Sequence, residues 1–328
     1  MKKVILSFIL LVFMPLLGIS QTEIPVSFDE RADLMAVVFR LADCDEYNRC
    51  LMEEYAAAVD NYFEPYKTHE VIALAKEYYE TAVSYDAVVS YALHLVLPTD
   101  NQGFISIDKN YKEGGDKSFD RWTEQQKQDF LKPLSDFYYK SHFHEWYEST
   151  FPVRNQAVET FNSNIRPAFD FSWFDTFFGP CENADFKIIL NFLVGWQNYG
   201  CSSQRIDGQD VLSPVIGCAQ PDSLGNACYQ IKIVLPIVIH EFCHAYCNPL
   251  NAKYWSGMEK KADKVFELKK EELTWQAYGS SLTMMDETFV RSCVIRYIMA
   301  HNPNADLNSL IANEKSFLLT QTMVESLA

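Results

Sequence analysis

The sequence predicts an α+β protein, mainly helical, with a small β-sheet packed over one helix that carries a His-Glu pair. Three observations lead there. Apolar residues recur at helical spacing through the N-terminal half and again near the C-terminus. A β-rich stretch punctuated by glycines lies between them. An apolar run from Ile231 to Ile239 then leads without a break into His240-Glu241-Phe242-Cys243-His244.

The chain begins Met1-Lys2-Lys3, followed by an apolar run from Val4 to Ile19. Gly18 and Ser20 supply the small residues at the −3 and −1 positions of a cleavage site, so residues 1–20 read as a signal peptide. The run falls short of the roughly 20 residues that a spanning helix needs. No cysteine follows it directly, so a lipid anchor is not expected. The mature protein is expected to be secreted or periplasmic, with no membrane attachment after cleavage.

Residues 21–170 read as an N-terminal helical region. From Phe28 to Leu97, Leu34, Val37, Val38 and Leu41 line one helix face, and Val71, Ile72, Leu74, Ala75 and Tyr78 line another. Pro98-Thr99-Asp100-Asn101-Gln102-Gly103 breaks the pattern. The polar loop that follows, to about Asp120, superficially resembles a calcium loop starting at Asp108. Its fifth and twelfth positions are Lys112 and Phe119, where such a loop needs an oxygen ligand and Glu, so calcium is excluded there. Further helices are predicted from Thr123 to about Ser141 and from His144 to about Ile165.

The character changes near Pro167, and residues 171–328 read as a second region, the one that carries the His-Glu motif. Strands are predicted over Phe186–Val194 and Val211–Ile216, with Gly195, Gly200 and Gly208 marking turns between them. The motif helix is expected to end at Asn248-Pro249. Helices follow from Gly257 to Gly279, Asp286 to Ala300 and Asp306 to Glu325. The chain shows no internal repeat and no low-complexity tract.

With 48% hydrophobic and 14% aromatic residues a substantial core is expected. The formal net charge of −16 repels nucleic acid and anionic membrane surfaces, so neither is an expected partner. Nine cysteines in an exported chain leave at least one unpaired. Cys44 and Cys50 are close enough in sequence to close a small loop, and Cys181, Cys201, Cys218 and Cys228 lie in Gly- and Pro-containing stretches where a staple would be useful. No C-x-x-C pair indicates a redox or zinc-ribbon site.

The chemistry centres on the motif. His240 and His244 are four residues apart, so on a helix both imidazoles project from one face, the separation at which two nitrogens reach one Zn²⁺. Glu241 is swung about 100° round the helix, where it can approach a water beside the metal as a general base without itself ligating. Burying two His and a Glu among Ile237, Val238, Ile239, Phe242 and Cys243 is costly unless something pairs with them, and a divalent metal would. The alternative is a pair of core histidines hydrogen-bonded to backbone carbonyls.

A third ligand is needed. Zincins with three His ligands want His at position 250 and Gly at 247; here those are Leu250 and Cys247, which excludes that class. Glu287, 43 residues after His244, opens a predicted helix and shares a face with Val290, Val294 and Ile298. A carboxylate on a face that should be buried is a ligand candidate, and Arg291 one turn on could hold it by a bidentate hydrogen bond. The rival pair Glu271-Glu272 adjoins Lys269 and Lys270 and reads as a solvated charged face.

The run from His240 to Pro249, together with Glu287-Thr288-Phe289-Val290-Arg291, resembles a family of uncharacterised secreted proteins from Bacteroidetes. Those proteins are similar to gluzincin-type zinc peptidases, which use two His and a Glu from a later helix. The likeness covers about Phe186 to Tyr297, with Asn198-Tyr199-Gly200 resembling the strand upstream of the motif, and leaves out the N-terminal helices. It implies a zincin-like fold and a secreted zinc metallopeptidase acting on a peptide or protein substrate. His240, His244 and Glu287 would be the ligands of Zn²⁺, and Glu241 the general base towards a zinc-activated water. Cys243 and Cys247 depart from the family's pattern without touching a ligand position.

Other residues carry less. His142 and His144 read as a surface pair, His69 and His94 are isolated, and His301 reads as a helix-end cap. Tyr199, Tyr246, Tyr254 and Tyr278 could each supply an oxyanion donor, and 18 tyrosines leave the choice open. The alternative function is a non-catalytic cell-envelope binding or scaffold protein with a structural or vestigial metal site.

Overall fold

The computed structural model describes residues 24–99, 103–180, 183–217, 219–276 and 278–328. The expected signal peptide, Asp100 to Gln102 of the predicted break, Cys181 and Cys218 lie outside the described residues. The architecture is α+β and mainly helical, with small sheets.

The N-terminal region opens with a short strand, β1 (Val26–Ser27), and then α1 (Glu30–Leu41). Asp29 starts α1 by accepting the Arg31 N–H, with Glu30 and Asp33 complementing the dipole. Ala32 to Leu41 are buried all round, which makes α1 a central helix of the core. Helices α2 (Glu53–Phe63), α3 (Glu70–Tyr79) and α4 (Asp86–Leu93) pack around it, followed by the β2 (Leu95–Val96) and β3 (Ser106–Ile107) hairpin. Next, α5 (Glu124–Lys140) begins at a capping box in which Thr123 and Gln126 satisfy each other's backbone N–H groups. The single helix predicted from His144 is in fact two, α6 (Phe143–Ser149) and α7 (Phe151–Asn164). Pro152 lies at the start of α7, where its missing N–H costs nothing.

After α8 (Ser172–Phe178), a helix not foreseen in the aromatic stretch, come β4 (Ala184–Phe186), β5 (Ile188–Leu190), β6 (Asn198–Gln204) and β7 (Asp210–Ile216). β4 and β5 run parallel to successive halves of β7, and β1 runs parallel to β5. β6 pairs antiparallel along β7, from Asn198 against Ile216 to Gln204 against Asp210. The strand predicted to reach Val194 stops at Leu190, because the Asn191 side chain takes the Leu193 N–H at 2.9 Å and turns the chain. Gly200, a turn marker by residue type but part of a strand by the resemblance, sits within β6.

A second hairpin, β8 (Gln220–Pro221) and β9 (Ala227–Cys228), leads to α9 (Ile231–Glu267), which lies against β6 and β7. α9 does not end at Asn248-Pro249. It runs through both Pro236 and Pro249 for 37 residues. A proline inside a helix costs about 3 kcal/mol. The contacts of the second half offset that cost: Asn251 is buried and donates to Asp286 at 2.6 Å, and Ala262 and Phe266 enter a small apolar cluster with Leu273, Met284, Met285 and Phe317.

The remaining helices are α10 (Lys270–Trp275), α11 (Ser281–His301), α12 (Leu307–Asn313) and α13 (Thr320–Ser326). α11 starts well before Asp286, at a Ser280 cap that accepts the Thr283 N–H. α11 packs along α9. One large apolar core joins the N-terminal helices, the sheet, α9 and α11, so the two regions read from the sequence share a sheet and a core. Among the described residues no helix is long and apolar enough to cross a membrane.

Candidate metal centre

His240 and His244 project from one face of α9, and α11 brings Glu287 to them. The Nε2 atoms of the two histidines are 3.2 Å apart. Glu287 Oε1 lies 3.3 Å from His244 Nε2, and Glu287 Oε2 lies 3.5 Å from His240 Nε2. A tetrahedral ion with ligands at about 2.0–2.1 Å spaces them about 3.3–3.4 Å apart. The donor set therefore fits zinc in both chemistry and spacing. The His side chains keep 22% and 17% exposure, so the face they share is open to solvent.

Glu287 is not the first residue of its helix; it lies in the second turn of α11, buried as its phase with Val290 predicts. Burial by itself would raise its pKa, but hydrogen bonds and charge from His240 and His244 outweigh this and hold the carboxylate well below its usual range. Burial would lower the pKa of His244; Glu287 outweighs it and pushes the imidazole up to about 9. A dication would take over the role of that proton in balancing Glu287.

The groups behind the ligands are specific. His244 Nδ1 is 3.1 Å from Asn248 Oδ1. With Nδ1 donating to that oxygen, Nε2 is the nitrogen that would give its lone pair to an ion once its proton is displaced. Arg291 Nε donates to Glu287 Oε2 at 3.1 Å. The expected bidentate grip is absent, because the other two nitrogens are engaged by Glu314 at 2.7 Å and the Tyr278 hydroxyl at 3.0 Å. Glu271 and Glu272 are not among the candidate ligands: Glu272 pairs with Lys269 and accepts from Ser316, and Glu271 is exposed.

Glu241 faces the sheet. A Cβ built on Gly200 would stand 2.7 Å from Glu241 Oε2 and 3.5 Å from the His244 ring. Gly200 is thus the place where a strand backbone passes close over the motif helix. A small pocket opens beside Glu241 between β6, β7 and α9, with Phe186, Leu212, Pro214 and Phe242 among its walls. Burial pushes the Glu241 carboxyl up; His240 and His244 oppose the rise, and Glu287 and Asp86 add to it. The charge of Asp86 on α4 and that of Lys117, which acts on Asp286, bring the N-terminal region into the electrostatics of the site.

Of the four tyrosines, Tyr278 is the one joined to a candidate ligand, through Arg291. The Tyr199 hydroxyl is buried without a hydrogen-bond partner, Tyr246 is packed on Phe178, and Tyr254 is exposed beside Lys253. His142 and His144 pair with Glu145 and Glu30 at the surface, and His69 caps α3. His94 is buried against Phe119, and His301 bonds Tyr297 O and Asp170 in the last turn of α11. Sequence reasoning missed Gly200 and Asn248. Asn248 had a signal, since it stands four residues beyond His244 and so lies on the same helix face.

The family described as a domain of unknown function, DUF4932, matches residues 26–318. The chain belongs to the DUF4932 family. Its match takes in the N-terminal helices as well as the motif helix and Glu287, a wider span than the gluzincin resemblance, and its description names no activity. No curated protein and no solved structure matches the chain.

Proposed function

We propose that this DUF4932 protein is an exported zinc-dependent hydrolase with a zincin-like catalytic region, and that it cleaves peptide bonds. The observation that carries the proposal is the triangle of His240, His244 and Glu287 donor atoms at 3.2–3.5 Å, with Glu241 next to it on the same helix. Zinc held by those three residues would supply Lewis-acid polarisation of a carbonyl and acidification of a bound water. Glu241 takes the proton of the attacking water and returns it to the leaving amine, and burial, which raises its pKa, makes it a stronger base than an exposed carboxylate. Glu287 and Asn248 hold the two imidazoles in register. Tyr278 accepts from Arg291, so its own O–H is free to donate towards an oxyanion. The leader sequence supports export, and the acidic surface supports a substrate other than nucleic acid.

The test is metal analysis of the purified mature protein, paired with digestion of an unbiased peptide library by wild type and Glu241→Gln. One zinc per chain in both, with cleavage by the wild type alone, is the expected result. Zinc in both with no cleavage by either favours a structural metal in a binding or scaffold protein.

A further inference from the structure

Three thiols lie where the two ligand-bearing helices meet. Cys243 and Cys247 are one turn apart on α9, Cys293 adjoins them from α11, and all three are 0% exposed. The Sγ atoms of Cys247 and Cys293 are 3.7 Å apart, between residues 46 positions apart in the chain. A disulfide of about 2.05 Å requires the two sulfurs to close by roughly 1.7 Å. We propose that Cys247 and Cys293 are joined by a disulfide in the mature protein, cross-linking α9 to α11 beside the candidate metal site.

The inference rests on the proposed export, because a cytosol keeps such a pair reduced. It does not depend on zinc or on hydrolysis. Cys247 and Cys293 each lose the S–H hydrogen and the S–S bond forms. The two electrons and two protons pass to a disulfide oxidant, a disulfide-bearing oxidoreductase of the compartment or oxidised glutathione in vitro, which leaves as two thiols. Burial of both sulfurs means that exchange happens as the helices dock, before the core closes. Cys243, one turn along α9, remains a thiol. The cross-link holds the helix of Glu287 against the helix of His240 and His244 whether or not a metal is bound.

The bond is read directly. Mature protein purified from an oxidising secretory compartment is denatured in excess iodoacetamide, digested and mapped by mass spectrometry with and without reductant. A reductant-sensitive peptide pair joining Cys247 to Cys293, with Cys243 alkylated, is expected. Alkylation of both Cys247 and Cys293, or a bond from Cys243 to either, overturns the inference. Reduction should also lower the midpoint of thermal unfolding by roughly 5 °C or more, and Cys243→Ala should leave that shift unchanged. The mature N-terminus, read from the same digest, tests export separately: a peptide that begins at Gln21, as the free amine or as pyroglutamate, shows leader cleavage whatever the cysteines have done.

Discussion

Gly200 and Glu241 are in contact distance across the sheet–helix interface: a single added carbon on Gly200 would come within 2.7 Å of the carboxylate oxygen of Glu241. Gly200→Ala should therefore displace the proposed base while leaving the three ligands in place. Zinc content is expected to be unchanged and peptide cleavage to fall roughly 100-fold, the cost of moving a catalytic group by about 1 Å. Equal cleavage by the alanine variant would show that Glu241 does not act from this position.

His240→Ala or His244→Ala should abolish stoichiometric zinc, since two donors hold the ion poorly. Glu287→Ala should weaken zinc by more than the roughly 10–100-fold of an outer-shell loss, while Glu272→Ala, whose carboxylate pairs with Lys269, should leave affinity unchanged. Competition against a fluorescent chelator measures both. A larger effect at Glu272 than at Glu287 would contradict the assignment.

Arg291→Ala and Asn248→Ala act one layer further out. Each removes a hydrogen bond to a candidate ligand, at 3.1 Å in both cases, and each should cost roughly 10–100-fold in zinc affinity without abolishing binding. Asn248→Asp, which strengthens the acceptor behind His244, should recover or exceed wild-type affinity. No change in any of the three would mean that the ligands are held by packing alone.

Asp33 supplies a pH test remote from the metal. It is buried, bonded to Asn191 through one oxygen, with the other oxygen unpartnered, and burial pushes its pKa up to about 8. The unfolded chain ionises this group at its ordinary value of 3.8, so between pH 4 and 8 the folded state binds the extra proton and stability falls as pH rises. Asp33→Asn keeps the acceptor for Asn191 and removes the ionisation. It should flatten that slope and raise stability at pH 8 by about 2 kcal/mol or more, read from denaturant unfolding at a series of pH values. A variant less stable than wild type at pH 8 would contradict the expected burial cost.

What the sequence by itself determined is local. The period of the helix puts His240 and His244 on one face whatever surrounds them, the helix predicted to start at Thr123 does so, and the apolar phase of Val290 with Glu287 marks a buried carboxylate. These patterns are legible because each depends on residues within a turn or two of one another. The tertiary structure decided everything that needs two distant segments. It alone brings Glu287 within 3.5 Å of both imidazoles, through the packing of α11 along α9. It carries α9 past Pro249, because Asn251, Ala262 and Phe266 bury against partners that the helix cannot anticipate. It also makes a strand glycine of Gly200, because the carboxylate of Glu241, some 40 residues later, occupies the space where a side chain would stand. Helical period and capping are short-range properties of the backbone, whereas contact between remote elements depends on how the whole core closes, and a single chain read in order does not contain that distance.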